Sequence, residues 1–106
     1  MFYKKNEQGY KEKIPGLNIK TLVHGEKTSF TEMLLKKGTL VPLHKHFHEQ
    51  TGYLVNGKLL FNINGQEIIA ESGDSWNIAS NIEHSAEALE DTLLIEVFSP
   101  VREDYL

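Results

Sequence analysis

The sequence predicts an all-β protein, a sandwich or barrel of short strands. Three observations predict it. Short β-prone segments recur along most of the chain. Turns bearing Gly, Asn or Asp separate them at close, regular spacing. No long segment combines a helical period with helix caps.

The elements follow in order. Asn18 to Val23 is a first strand, and Phe30 to Lys37 a second, closed by Gly38. Thr51 to Val55 and Lys58 to Ile63 flank Asn56-Gly57, a two-residue hairpin signal because both central positions take positive φ. Asn64-Gly65 repeats the device before Glu67 to Glu71. Ser72-Gly73-Asp74 turns the chain into Ser75 to Ile78. His84 to Ala88 and Thr92 to Phe98 complete the set, linked by an acidic turn at Glu90-Asp91. Residues 1–16 are polar, carry Phe2, Tyr3, Tyr10 and Ile14, and end at Pro15-Gly16. They read as an N-terminal arm that lies along a sheet edge, reaches a second subunit or stays a partly ordered tail. Residues 17–100 form the barrel and 101–106 a C-terminal tail.

A chain of 106 residues is one domain. Its 40% hydrophobic and 25% charged content is that of a soluble globular protein. Its surface-to-volume ratio is poor, which favours a homodimer packed sheet on sheet. Net charge is −4, and lysines are scattered among acids, as in Lys11-Glu12-Lys13, a solvated face. There is no basic stripe, so nucleic acid is not an expected partner. No apolar run approaches the ~20 residues of a spanning helix, so neither is a membrane. The N-terminal Met1-Phe2-Tyr3-Lys4-Lys5 lacks the apolar core of a signal peptide. No cysteine is present, which rules out disulfides and cysteine-type zinc sites and fits a reducing cytoplasm.

The chemistry concentrates in a few side chains. His44 and His46 are two apart, and on a strand they share a face. Gln50 has the same parity, and His84 follows Gly73-Asp74 after nine residues. Imidazole nitrogens plus an oxygen donor, with positions left open, are what a divalent transition metal needs. Iron, manganese, nickel, copper and zinc all suit such a set. Glu49, one position from Gln50, competes with it as an oxygen donor; its use would shift the strand register by one residue. His48 shares the parity too and could be an extra ligand or the partner of one, but it is read as exposed in a turn over Phe47 to Glu49. Trp76, Met33 and Phe61 are read as core, with Trp76 and Met33 also candidates for the pocket or interface.

The spacing resembles the cupins. Their first motif, G-x5-H-x-H-x3-4-E-x6-G, is met at Gly38, His44, His46 and Gly57, with Gln50 where glutamate is usual. Their second, G-x5-P-x-G-x2-H-x3-N, is met at Gly73 and His84 and departs at Ala79, Asn81 and Ala88. The resemblance implies a double-stranded β-helix, the cupin jelly-roll barrel, of six to eight strands. His48 to Tyr53 and the tail from Phe98 to Asp104 also look like small single-domain cupins that open unsaturated uronates in pectin degradation. In that group three histidines and a glutamine hold the metal, matching His44, His46, Gln50 and His84. An acidic residue on the last strand, usually aspartate, assists at the position of Glu96.

Three neutral imidazoles and a neutral amide leave the ion's positive charge uncompensated, which favours an anionic substrate. Inward-facing Gly52, Ala86 and Ala88 leave room beside it. Glu96 lies on a strand whose faces both look buried, where it can act as general acid or base or form a salt bridge with a lysine or Arg102. Arg102 is read as tying down the C-terminus rather than pairing with a substrate carboxylate. Three functions follow: a metal-dependent enzyme acting on a small sugar acid or keto acid, with Glu96 moving a proton; an Fe(II)-dependent dioxygenase; or a non-catalytic ligand-sensing or metal-binding module.

Overall fold

The computed structural model describes residues 1–106. Ten strands follow one another: β1 (Lys11–Ile14), β2 (Leu17–His24), β3 (Ser29–Leu35), β4 (Leu40–His44), β5 (Glu49–Asn56), β6 (Lys58–Ile63), β7 (Gln66–Glu71), β8 (Ser75–Ile78), β9 (His84–Ala88) and β10 (Thr92–Ser99). A short 3-10 turn, Glu103–Tyr105, ends the chain. No helix is long and apolar enough to cross a membrane.

The strands form two antiparallel sheets. One has six strands in the order β1-β2-β3-β10-β5-β8, the other four in the order β4-β9-β6-β7. Their inner faces meet over a cluster that includes Ile19, Met33, Leu54, Leu59, Phe61, Leu94 and Phe98. This is the jelly-roll barrel that the cupin resemblance implies, with ten strands rather than six to eight. Period-two alternation sets the inner face of β5 as Gln50, Gly52 and Leu54, and that of β10 as Thr92, Leu94, Glu96 and Phe98. Leu54 is fully buried and Phe98 nearly so.

Two of the ten strands are additions to the reading above. β4 contains Pro42, which argues against a strand interior, but β4 is the edge of its sheet, where a missing N–H is tolerated. β1, charged and exposed, pairs with β2 at the other sheet's edge. Lys11 and Lys13 donate from Nζ to the carbonyls of Leu106 and Asp104 at 2.8 Å, tying the arm to the tail.

The turn at Asn56-Gly57 corrects the hairpin reading. β5 pairs with β10 and β8, whereas β6 pairs with β7 and β9, so the chain crosses between sheets here. Gly57 has φ of 119°, and a Cβ there would collide with the backbone of Asp91 and Thr92. Glycine is needed for the close approach rather than for a tight hairpin. Asn64-Gly65 is a true hairpin turn: both residues have positive φ, and β6 pairs with β7 across it.

Candidate metal centre

The two sheets converge on one cluster. His44 ends β4 and lies directly opposite His84, which opens β9. His46 sits just beyond β4, in the loop before β5, so it does not share a strand with His44. That loop is tied down from the far side: the Asn81 N–H donates to the His46 carbonyl at 2.8 Å. Asn81 has φ of 64°, a conformation that asparagine tolerates. The turn before His84 therefore keeps a left-handed residue where the cupin motif has glycine.

The ring nitrogens of His44, His46 and His84 lie within 4.8 Å of one another. In each ring Nδ1 lies 2.8 Å from a backbone carbonyl, of Pro42, His48 and Ile82 respectively. An Nδ1–H donating to each carbonyl leaves Nε2 as the lone-pair nitrogen. Burial, then the Arg102 charge, pushes His46 down to about 4; burial also lowers His84. Both rings are thus neutral at pH 7, the form that binds metal.

Gln50 lines the same cavity as the three histidines. It is buried on β5, while its neighbour Glu49 is exposed and accepts from Asn77 Nδ2 at 3.0 Å. The Gln50 Nε2 donates to Glu96 Oε2 at 2.6 Å. Its Oε1, and Nε2 of His46, are buried without a partner in the chain. Orphaned buried acceptors cost stability. Both are groups that ligate a divalent cation, so the residues fit such an ion.

Glu96, 4% exposed, makes no ion pair with a lysine or Arg102. Burial raises its carboxyl above the usual range, against hydrogen bonds from Trp76 and Gln50 and the nearby Arg102 charge. Both donors take Oε2, Trp76 Nε1 at 2.9 Å. Oε1 makes no hydrogen bond. Glu96 and Arg102, with Phe98 and Tyr105, line a cavity of about 60 Å³ beside the histidines. That is room for several water-sized groups.

Arg102 ties down the tail, as read. Its Nε and Nη2 bind Asp104 at 3.0 and 2.8 Å, and its guanidinium lies 3.9 Å from the Tyr105 ring centre. It holds the Asp104 carboxyl down to about 2. Its place on the cavity wall adds positive charge to the site.

Three features were not read from the sequence. His48 is half-buried rather than exposed, and its carbonyl orients His46. The carbonyls of Pro42 and Ile82 do the same for their histidines, with no signal in residue type. Trp76, read as core or as a pocket or interface residue, reaches Glu96 with its indole N–H; its indole fills the space at Gly52, which corrects the reading of Gly52 as room beside the ion.

A family model described as a cupin domain, Cupin_2, matches residues 31–98. The pectin degradation protein KdgF of Dickeya dadantii is 29% identical over 103 residues, covering 95% of this chain and 94% of that protein. The solved structure of KdgF from Halomonas sp. superposes with a TM-score of 0.92 and 30% identity, covering 100% of this chain and 98% of that one. An RmlC-like cupin from Shewanella frigidimarina superposes with a TM-score of 0.92 and 27% identity, covering 99% of this chain and 95% of that one.

Proposed function

Because the chain belongs to the cupin family, we propose that it is a metal-dependent enzyme that opens and tautomerises a small unsaturated uronate. One observation carries the reading: three imidazoles and an orphaned amide oxygen converge beside a buried carboxylate with a free oxygen. The similarity to a pectin degradation protein supports the substrate class, since unsaturated uronates arise from eliminative cleavage of uronate polymers.

His44, His46, His84 and Gln50 would hold a divalent transition metal, which when bound supplies Lewis-acid polarisation of a substrate oxygen. The remaining steps fall to the chain. Glu96 Oε1 takes the proton of the anomeric hydroxyl. The bond from the anomeric carbon to the ring oxygen breaks, an aldehyde forms, and the ring oxygen leaves as an enolate. Glu96 returns the proton to the adjacent alkene carbon, which leaves a ketone. The net change is an isomerisation that needs no oxidant. Arg102, read above as a tie for the tail, also lines the cavity, so its guanidinium takes a second role as a cation for the substrate carboxylate.

The test follows the alkene absorbance of an unsaturated uronate monomer. Loss of absorbance that stops on chelation and returns with a divalent metal supports the reading. A metal-loaded protein that leaves the absorbance unchanged contradicts it.

We also propose the homodimer, through the outer face of the six-stranded sheet. Leu34, Tyr53 and Val55 are 37%, 45% and 41% exposed there, beside half-buried Phe30, Leu93, Ile95 and Val97. An apolar face of this kind, broken where Glu32 stands opposite Ile95, marks an interface. Leu34→Glu is expected to convert a dimer to a monomer in light scattering; a monomeric wild-type protein contradicts the proposal.

A further inference from the structure

We propose that Trp76, laid across the empty position at Gly52, is a positioning residue that fixes the Gln50 amide through Glu96. The inference rests on the reading of Gln50 as a metal ligand. Glu96 on β10 is opposite Gly52 on β5, and Gly52 is opposite Trp76 on β8, so the three form one transverse row. β8 and β10 lie two strand spacings apart, roughly 9–10 Å. An indole spans that gap only if nothing stands between. A Cβ at position 52 would collide with Cε2, Nε1 and Cζ2 of Trp76. Gly52 has no left-handed φ to explain its glycine. The space that it leaves is occupied by the indole.

The indole is held on its other side by Phe61 of the facing sheet, ring centres 4.8 Å apart. Its N–H goes to Glu96 Oε2, the atom that also receives the Gln50 amide N–H. A tryptophan serving only as core has no need of a buried carboxylate. With Oε2 pinned by the indole, the Gln50 NH2 group is committed to Glu96. Its carbonyl oxygen then turns the other way, and it is this oxygen that lacks a partner in the chain. A flipped amide would set its oxygen against the carboxylate, which repulsion forbids. The row thus converts one indole hydrogen bond into the orientation of a metal donor.

The test is Co(II) titration of the apoprotein, wild type against Trp76→Phe, Gly52→Ala and the double variant, with the melting temperature of each recorded. Trp76→Phe removes the N–H, and Gly52→Ala displaces the indole while keeping it. Each single variant is expected to bind Co(II) about tenfold more weakly, the effect typical of losing a ligand's own partner, with an altered visible spectrum. The double variant is expected to be no weaker than the weaker single, because both changes break one unit. A structural role alone would lower melting temperatures and leave the Co(II) spectrum unmoved. Folded single variants with wild-type affinity and spectrum, or losses that add, would overturn the proposal. Uronate opening by the wild type together with that result overturns the positioning role alone. Weakened Co(II) binding in both variants of a chain that opens no uronate overturns the reaction and retains the positioning role. A wild-type chain that takes up no Co(II) overturns both.

Discussion

Glu96→Gln is expected to lower kcat for uronate opening by about 10²- to 10⁴-fold, the usual worth of a positioned acid or base, and to leave metal binding intact. The substitution is nearly isosteric. Oε2 of Glu96 accepts from Trp76 and Gln50, and a carboxamide oxygen turned the same way accepts from both. No hydrogen bond joins the changed group to the three histidines, whose Nδ1 atoms face backbone carbonyls. What is lost is the free oxygen that takes and returns a proton, since a carboxamide nitrogen does neither near neutral pH. Steady-state rates on the metal-loaded variant check this. Turnover at the wild-type rate would remove Glu96 from the chemistry.

His46→Ala is expected to weaken metal binding by more than the roughly 10–100-fold typical of losing only a ligand's partner. A ligand that binds only the folded state raises its stability, so metal should raise the wild-type melting temperature and leave that of the variant nearly unchanged. The apoprotein carries Nε2 of His46 buried and unpartnered, and its removal also relieves a desolvated polar group. The variant without metal should therefore fold, which separates lost binding from lost structure. Equal thermal shifts in the two proteins would exclude His46 as a ligand.

Much of this site is legible in the chain. The spacing of His44, His46 and His84 marks the cluster, and the six residues between Gln50 and Gly57 favour Gln50 over Glu49 as the oxygen donor; parity alone does not decide, because residues 45–48 form a loop between β4 and β5. Parity also aligns Gly52 and Leu54 with Gln50, and Leu94 and Phe98 with Glu96. The sequence shows eight of the ten strands because β1 and β4 are edge strands, where charge and proline are tolerated and the usual pattern fades. The Asn56-Gly57 turn is ambiguous in sequence because positive φ serves both a hairpin and a passage between sheets; the strand pairing and the packing of Gly57 against Asp91 and Thr92 distinguish them.

The meaning of Gln50 shows the same limit. Read alone, a neutral amide in place of a carboxylate leaves the ion more positive. The fold adds a second reason, 46 residues away in the chain: Gln50 must donate to Glu96. A glutamate there would set two carboxylates in contact, which favours protonation of one of them. Likewise, no residue type announces that the carbonyls of Pro42, His48 and Ile82 each face an imidazole. Backbone acceptors are common to every residue, so only tertiary placement selects them.

The measurement that tests the account most directly is elemental analysis of the protein purified without a histidine tag, wild type beside His46→Ala. The account predicts a bound divalent transition metal in the wild type, near stoichiometric with the chain, and its loss in the variant. A wild-type protein that carries no metal, and takes none up from solution, would contradict it.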